Sequence, residues 1–216
     1  MSKTLANSIC AILLLISIVA IAMLYPQLPE QLPTHWNAAG EIDQYSDKWF
    51  GVLIGPGTAL FVWVLMLLVP AISPKGFGTS EFAPTLNLLQ VVLVAFMLGI
   101  GAITIMAGLG HPIAVEQAIP FAVGTLFVVL GNFFGKLRKN FFIGIRTPWT
   151  LASDEVWMRT HRLGGYVFVT TGLATMAMSL FGFHLGLFGV IVSITVLVPI
   201  LYSYLLYRQL EGFESA

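Results

Sequence analysis

Six stretches of the chain, near residues 5–25, 51–72, 84–109, 117–135, 164–183 and 186–208, are long and apolar, and none carries a charge near its middle. A membrane span takes about 20 mostly apolar residues, so each stretch is long enough to cross a bilayer. Backbone amides have no water to bond in hydrocarbon, so each is expected to be helical. Composition agrees: 57% of the 216 residues are hydrophobic and 9% are charged, whereas soluble domains carry about 25% charged residues. The expected fold class is an all-α integral membrane protein with six transmembrane helices. The lack of charge at mid-span excludes a proton relay or a voltage sensor, which need ionisable groups at depth. A net charge of zero gives no case for nucleic acid. The single cysteine, Cys10, excludes an internal disulfide and a cysteine-based metal cluster. Ala20-Ile21-Ala22 imitates a signal-peptide cleavage site, but the first stretch is long enough to span and is read as retained.

The cations set the orientation. With the N-terminus inside, the inner face carries Lys3, Lys75, Arg208 and the six cations of the fourth connection, nine of the ten; only Lys48 lies outside. Inner loops carry the excess of Lys and Arg, so both termini are placed in the cytoplasm.

The first outer loop, residues 26–50, is long. Pro26, Pro29 and Pro33 keep its start extended, and Asn37 to Gly40 reads as a turn. Loops of this length are usually functional or internally packed. Its candidate residues are His35, Trp36, Asn37, Gly40, Asp43 and Lys48. His35 among carboxylates matches no standard metal-ligand spacing, so a hydrogen-bonded structural histidine is the default and no metal is expected. In the second span Gly51-x-x-x-Gly55, and in the fourth Gly131-x-x-x-Gly135, predict close helix approach. Asn87 and Gln90 open the third span and are expected to hydrogen-bond across helices.

The other long loop, residues 136–163, holds Lys136, Arg138, Lys139, Arg146, Arg159 and Arg162 with Trp149 and Trp157. It reads either as a topology anchor or as a docking surface for an anionic headgroup or a partner. Pro148 disfavours helix at Thr147, which predicts an extended run over 146–149. Ser153 is a candidate N-cap with Asp154 and Glu155 in the first turn. The helix it opens places Trp157 and His161 four apart on one face. Arg159 and Arg162 point elsewhere, toward lipid phosphates. The Arg146 guanidinium must find oxygens wherever it is partly buried: span-end carbonyls, Asp154, Glu155 or a phosphate.

Both long loops follow the first span of a group of three. A shift of 113 lays Thr34-x-Trp36 on Thr147-x-Trp149, Ala39 on Ala152, Glu41 on Asp154 and Gly51 on Gly164. The expected organisation is therefore a half at 1–110 with outer loop 26–50 and a half at 111–216 with basic cytoplasmic loop 136–163. Three spans per half is odd, so the halves would be inverted repeats, a pattern frequent in transporters.

The run Gly131-Asn132, Lys139-Asn140, Phe142-Ile143-Gly144-Ile145-Arg146-Thr147-Pro148-Trp149-Thr150, Val156-Trp157, Thr160-His161-Arg162 and Gly164-Gly165 resembles the SdpI family of bacterial membrane proteins. Pro33-Thr34-His35-Trp36-Asn37 with Gly40, Asp43 and Lys48 resembles a domain of unknown function often found ahead of it. The resemblance implies a multi-pass protein of the bacterial cytoplasmic membrane. It implies immunity to a secreted antimicrobial protein, the sporulation-delay toxin. In the family's named member it also implies signalling, by holding a cytosolic repressor at the membrane. The expected partners are the lipid bilayer, a toxin outside and a repressor inside; no cofactor is implied. The inner-loop candidates are Asn140, Arg146, Thr147, Pro148, Trp149, Trp157, His161 and Arg162. The alternative function is a small-solute transporter or channel. An enzyme acting on lipids, with His161 as acid–base, is the weakest reading, because no nucleophile–base pair is evident and no catalytic residue carries over.

Overall fold

The structure, a computed structural model, describes residues 1–37 and 41–212. Its order is α1 (Lys3–Leu24), β1 (Gln31–Trp36), β2 (Ile42–Asp47), α2 (Lys48–Ile72), α3 (Ala83–Gly108), α4 (Val115–Phe134), α5 (Pro148–Ala152), α6 (Asp154–Phe181) and α7 (Leu185–Leu210). Six of the helices, α1 to α4 with α6 and α7, are apolar and long enough to span, as the hydropathy pattern predicts. The only sheet among the described residues is the β1–β2 hairpin in the first long loop.

Helix ends follow local chemistry. Ser2 caps α1 by accepting from Leu5 N–H, and His184 caps α7 through Nδ1 and Leu187 N–H. Ser153 caps α6, with Asp154 and Glu155 in its positive first turn. Gly182 follows α6 with φ 128°, a conformation that favours glycine. α6 and α2 start earlier than hydropathy places their spans, at Asp154 and Lys48, because a helix continues past the hydrocarbon edge.

The chain forms two compact units, Met1–Leu68 with Leu86–Ala122, and Val69–Thr85 with Val123–Ala216. In the first, Leu28 and Leu32 of the hairpin arm pack with Val52 and Ile105 beneath. A second apolar cluster joins Cys10, Leu14, Ala59 and Val94. Asn7 is a polar hub between helices: its Oδ1 accepts from Trp63 Nε1 at 3.2 Å and from Gln90 Nε2 at 2.9 Å. Asn87 donates to the Met1 carbonyl at 3.1 Å. These are the interhelical bonds expected of Asn87 and Gln90, and they bind the third span to the first.

Glycines set how closely the spans cross. In the first unit a β-carbon on Gly101 would lie 2.5 Å from Gly55 Cα, so α2 and α3 touch backbone to backbone. In the second, Gly124 meets Gly172 and Gly131 meets Gly165, a double crossing of α4 and α6 with the glycines seven positions apart on each helix. A β-carbon at Gly172 would stand 2.5 Å from the Gly124 carbonyl oxygen. With lipid on the other faces there is little hydrophobic gain in helix pairing, so contact area and Cα–H···O contacts carry it. Of the small-residue pairs in the sequence, Gly55 and Gly131 sit at crossings, Gly51 lies under Leu32, and Gly135 faces open space.

Gly101→Ala forces a β-carbon into backbone and should destabilise the folded protein by about 1–3 kcal/mol. Gly57, also in a span, has nothing within 4 Å of an added β-carbon, and Gly57→Ala should be neutral or stabilising by up to about 1 kcal/mol. Thermal unfolding of the two variants in detergent checks this; equal behaviour would remove the crossing from the account.

Candidate functional site

Residues 136–163 leave α4 and must reach α6 with their backbone polar groups satisfied. Asn140, fully buried, does most of this. Its Oδ1 accepts from the N–H of Phe142 at 2.8 Å and of Ile143 at 2.7 Å. Its Nδ2 donates to the carbonyls of Arg138 at 2.8 Å and Ile143 at 3.0 Å. Only a primary amide carries two donor and two acceptor positions at that spacing. The chain then passes over His161. Gly144 has φ 118°, and a β-carbon there would lie 2.3 Å from His161 Nε2, so both backbone shape and space require glycine.

His161 closes the bend. Its Nε2 accepts from Ile145 N–H at 2.9 Å, and its Nδ1 lies 2.8 Å from the Trp157 carbonyl. An acceptor at Nε2 and a carbonyl at Nδ1 together specify the neutral ring with its proton on Nδ1. Trp157, 1% exposed, stacks on that ring with centroids 4.0 Å apart and donates its indole N–H to the Leu137 carbonyl at 3.0 Å. The pair that the sequence places on one helix face is thus a bracket for both ends of the loop. Both imidazole nitrogens are engaged, and His161 is buried, so the ring offers no free acid or base.

The second half of the loop differs from the extended run predicted over 146–149. Thr147 is extended, with φ −100° and ψ 161°, but Pro148 opens the short helix α5 at its first position, where a missing N–H costs nothing. Thr147 and Thr150 form a reciprocal capping box, with Thr150 N–H on Thr147 Oγ1 at 3.1 Å and Thr147 N–H on Thr150 Oγ1 at 2.9 Å. Thr150 Oγ1 donates to the Ile145 carbonyl at 2.8 Å, and Thr147 Oγ1 bonds Ser203 of α7 at 3.0 Å. Ser153 Oγ donates to Glu211 at 2.8 Å. Trp149, half-buried, packs edge-on against Tyr204, with centroids 5.1 Å apart.

Of the predicted residues here, Asn140, Thr147, Trp157 and His161 are buried braces, while Arg146, Pro148 and Arg162 are exposed. Arg146 donates to the Phe141 carbonyl, a partner within the loop. Asp154 is taken by Lys139 at 2.7 Å and Glu155 by Arg159. Sequence reasoning quoted Gly144 and Thr150 only within the family run, without a role, and missed Ser203. A Thr-x-x-Thr pattern around Pro148 is a legible signal for Thr150; the other two depend on contacts distant in sequence. A cavity of about 520 Å³ opens beside the loop, walled by Glu81, Arg138, Lys139, Asp154 and Trp157.

The first long loop is a hairpin. Gln31 pairs with Asp47, Leu32 with Ser46, Pro33 with Tyr45, His35 with Gln44 and Trp36 with Ile42, with bulges around His35. A two-stranded sheet has only edges, so Pro33 is tolerated without a ladder N–H. His35 Nδ1 bonds Asp43 at 2.6 Å, and Asn37 bonds Glu41 through side chain and backbone. Gly40, predicted in the turn, lies outside the described residues, as does Ala39. Lys48 N–H donates to the Glu30 carbonyl at 2.8 Å, and its ammonium sits over the Tyr25 ring. Leu32 anchors the hairpin: a β-carbon on Gly51 would lie 2.8 Å from its Cβ, and one on Gly108 would lie 2.3 Å from its Cδ2. The shift of 113 carries Leu32 onto Ile145 and Gly51 onto Gly164. Ile145 Cδ1 covers Gly164 as Leu32 covers Gly51.

Six apolar spans, one exposed hairpin and one internally braced basic loop define a multi-pass membrane protein. Residues 136–203 match the SdpI/YfhL protein family, and residues 12–60 match the domain of unknown function DUF1648. The first match falls on the run of motifs that resembles the SdpI family. It is similar to the immunity protein SdpI of Bacillus subtilis (strain 168), 26% identical over 208 residues that cover 95% of this chain and 98% of that one. No solved structure matches it.

Asn140→Asp keeps the acceptors for Phe142 and Ile143 but sets a carboxylate against two carbonyls. It should loosen the loop by about 1–3 kcal/mol and expose Arg138 and Lys139 to trypsin severalfold faster than in the parent. Unchanged cleavage would mean that Asn140 does not hold the loop.

Proposed function

We propose that this chain protects a bacterial cell, from its cytoplasmic membrane, against a secreted antimicrobial protein toxin. The observation that carries the proposal is the similarity to an immunity protein along nearly the whole of both chains. In this reading both termini are cytoplasmic, which keeps nine of ten cations inside. The hairpin then faces outward as the surface that meets toxin, with His35, Trp36, Asn37, Gly40, Asp43 and Lys48 as its residues. Its exposed Tyr45, the adjoining Trp49 at the start of α2 and its carboxylates Glu41, Asp43 and Asp47 suit a cationic, apolar polypeptide. The loop around Arg146 faces the cytosol as the responding element. There Asn140, Thr147, Trp157 and His161 hold the loop in shape, and Arg146, Pro148 and Trp149 meet the partner. The finer claim is signalling: the inner loop holds a cytosolic repressor at the membrane when toxin is sensed. That requires two arrangements of the bundle that the toxin binds unequally. The protein works without enzymatic activity or cofactor.

A second reading, a small-solute transporter, draws on the shared contact of Leu32 with Gly51 and Ile145 with Gly164, which favours two repeated halves at 1–110 and 111–216. Solute flux in proteoliposomes, without toxin protection in cells, would favour it.

Sensitive cells expressing the chain should survive toxin that kills the parent strain; equal killing would overturn the immunity reading. His35→Ala with Asp43→Ala should reduce that survival if the hairpin meets toxin. Arg146→Lys keeps charge but loses the planar fork. It should insert normally yet weaken function by about 1–3 kcal/mol, or roughly fivefold to more than a hundredfold; normal function would return Arg146 to a topology anchor. Orientation is read separately by labelling intact cells: a cysteine at exposed Gln44 should react and one at exposed Ala152 should not, in a background lacking Cys10.

A further inference from the structure

The second half of the bundle carries two arginines whose geometry the braced loop does not use. α6 has 28 residues, about 42 Å of helix, against a hydrocarbon core of about 30 Å. No charge occurs from Leu163 to the end of α6, so Arg162 stands where the hydrocarbon ends. α7 is likewise uncharged from Leu185 to Tyr207, with Arg208 in its last turn. At that level a groove of about 600 Å³ opens between α6 and α7, walled by Glu155, Arg159, Arg162, Tyr166 and Tyr202. Arg159 is steadied by Glu155 through Nε and remains exposed. Arg162 is exposed, and no hydrogen bond or ion pair holds it among the described residues. Tyr166 is 68% exposed. The same two helices also present exposed Leu173 and Leu201.

We propose that this groove binds the headgroup of an anionic phospholipid. Two guanidinium forks match phosphate oxygens in bidentate geometry. One of the two positive charges is offset by Glu155, so the groove is monocationic and suits a phosphodiester with one net negative charge. The phenols of Tyr166 and Tyr202 lie on the hydrocarbon side of the arginines, at the depth of glycerol and ester oxygens, where tyrosine is at home with its ring in lipid and its hydroxyl wet. The exposed leucines continue the path of the acyl chains. A zwitterionic choline lipid carries the same phosphate, but its cation meets the arginines unfavourably. Free phosphate meets the arginines and leaves the phenols and apolar floor unused.

Full-length protein in detergent, titrated with dioleoyl phosphatidylglycerol, dioleoyl phosphatidylcholine or inorganic phosphate and read by native mass spectrometry, tests the assignment. The glycerol lipid should be retained at one per chain and about tenfold more tightly than the choline lipid. Arg162→Gln should weaken it about tenfold, and Arg162→Lys should restore part of the loss. Where Arg162→Gln does not elute as a folded species, Arg159→Gln is measured in its place with the same expectation. Equal retention of the two lipids, parental binding by the glutamine variant, or displacement of the glycerol lipid by millimolar inorganic phosphate would overturn the proposal.

Discussion

A backbone amide beside a bilayer has few partners other than the chain itself, and an unsatisfied one costs several kcal/mol. The basic loop is built to that constraint. Asn140 settles four backbone groups at once, His161 settles Ile145, Trp157 settles Leu137, and Thr150 settles Ile145 again from its carbonyl side. Every one of these side chains is buried, so water does not compete. The outcome is a loop with a fixed shape without regular secondary structure from Leu137 to Arg146. That shape presents Arg146 and Trp149 while keeping the polar braces beneath them.

The hairpin solves the same problem with a ladder. Its strands pair with each other, while Leu28 and Leu32 tie it to the span ends. The cost of a lone two-stranded sheet in water is offset by that apolar anchor. The contact that fixes it, a branched aliphatic side chain over a helical glycine, recurs in the basic loop, where Ile145 covers Gly164. One unit therefore uses β structure and the other side-chain bracing above an equivalent glycine.

Span number, the cap at Ser153 and the facing of Trp157 with His161 are local in origin, and so they are legible from periodicity and residue type. The family resemblance was legible for the same reason, because its motif is a contiguous run. The hairpin was not, since prolines and bulges erase the alternation that marks a strand. The fit of Gly144 over His161, and of Thr147 against Ser203, joins residues 17 and 56 positions apart, and no local pattern encodes either pairing. Pro148 was read only for its effect on Thr147; its own suitability as the first residue of a helix decided the local structure. Arg146 had three plausible acids and carbonyls in reach by sequence. The two carboxylates were already taken by Lys139 and Arg159, a competition visible only once the chain is folded.

The braces of the basic loop divide by when their partners are made. Asn140, Trp157 and His161 are all present once α6 has left the ribosome. Ser203 and Glu211, which secure Thr147 and Ser153, lie on or just after the last helix. During synthesis the partners of the bend around His161 are therefore all available before those of the contacts with Ser203 and Glu211. A chain interrupted before residue 203 would lack the partners of Thr147 and Ser153. The full set of contacts on this surface thus depends on the last span, some sixty residues further along the chain.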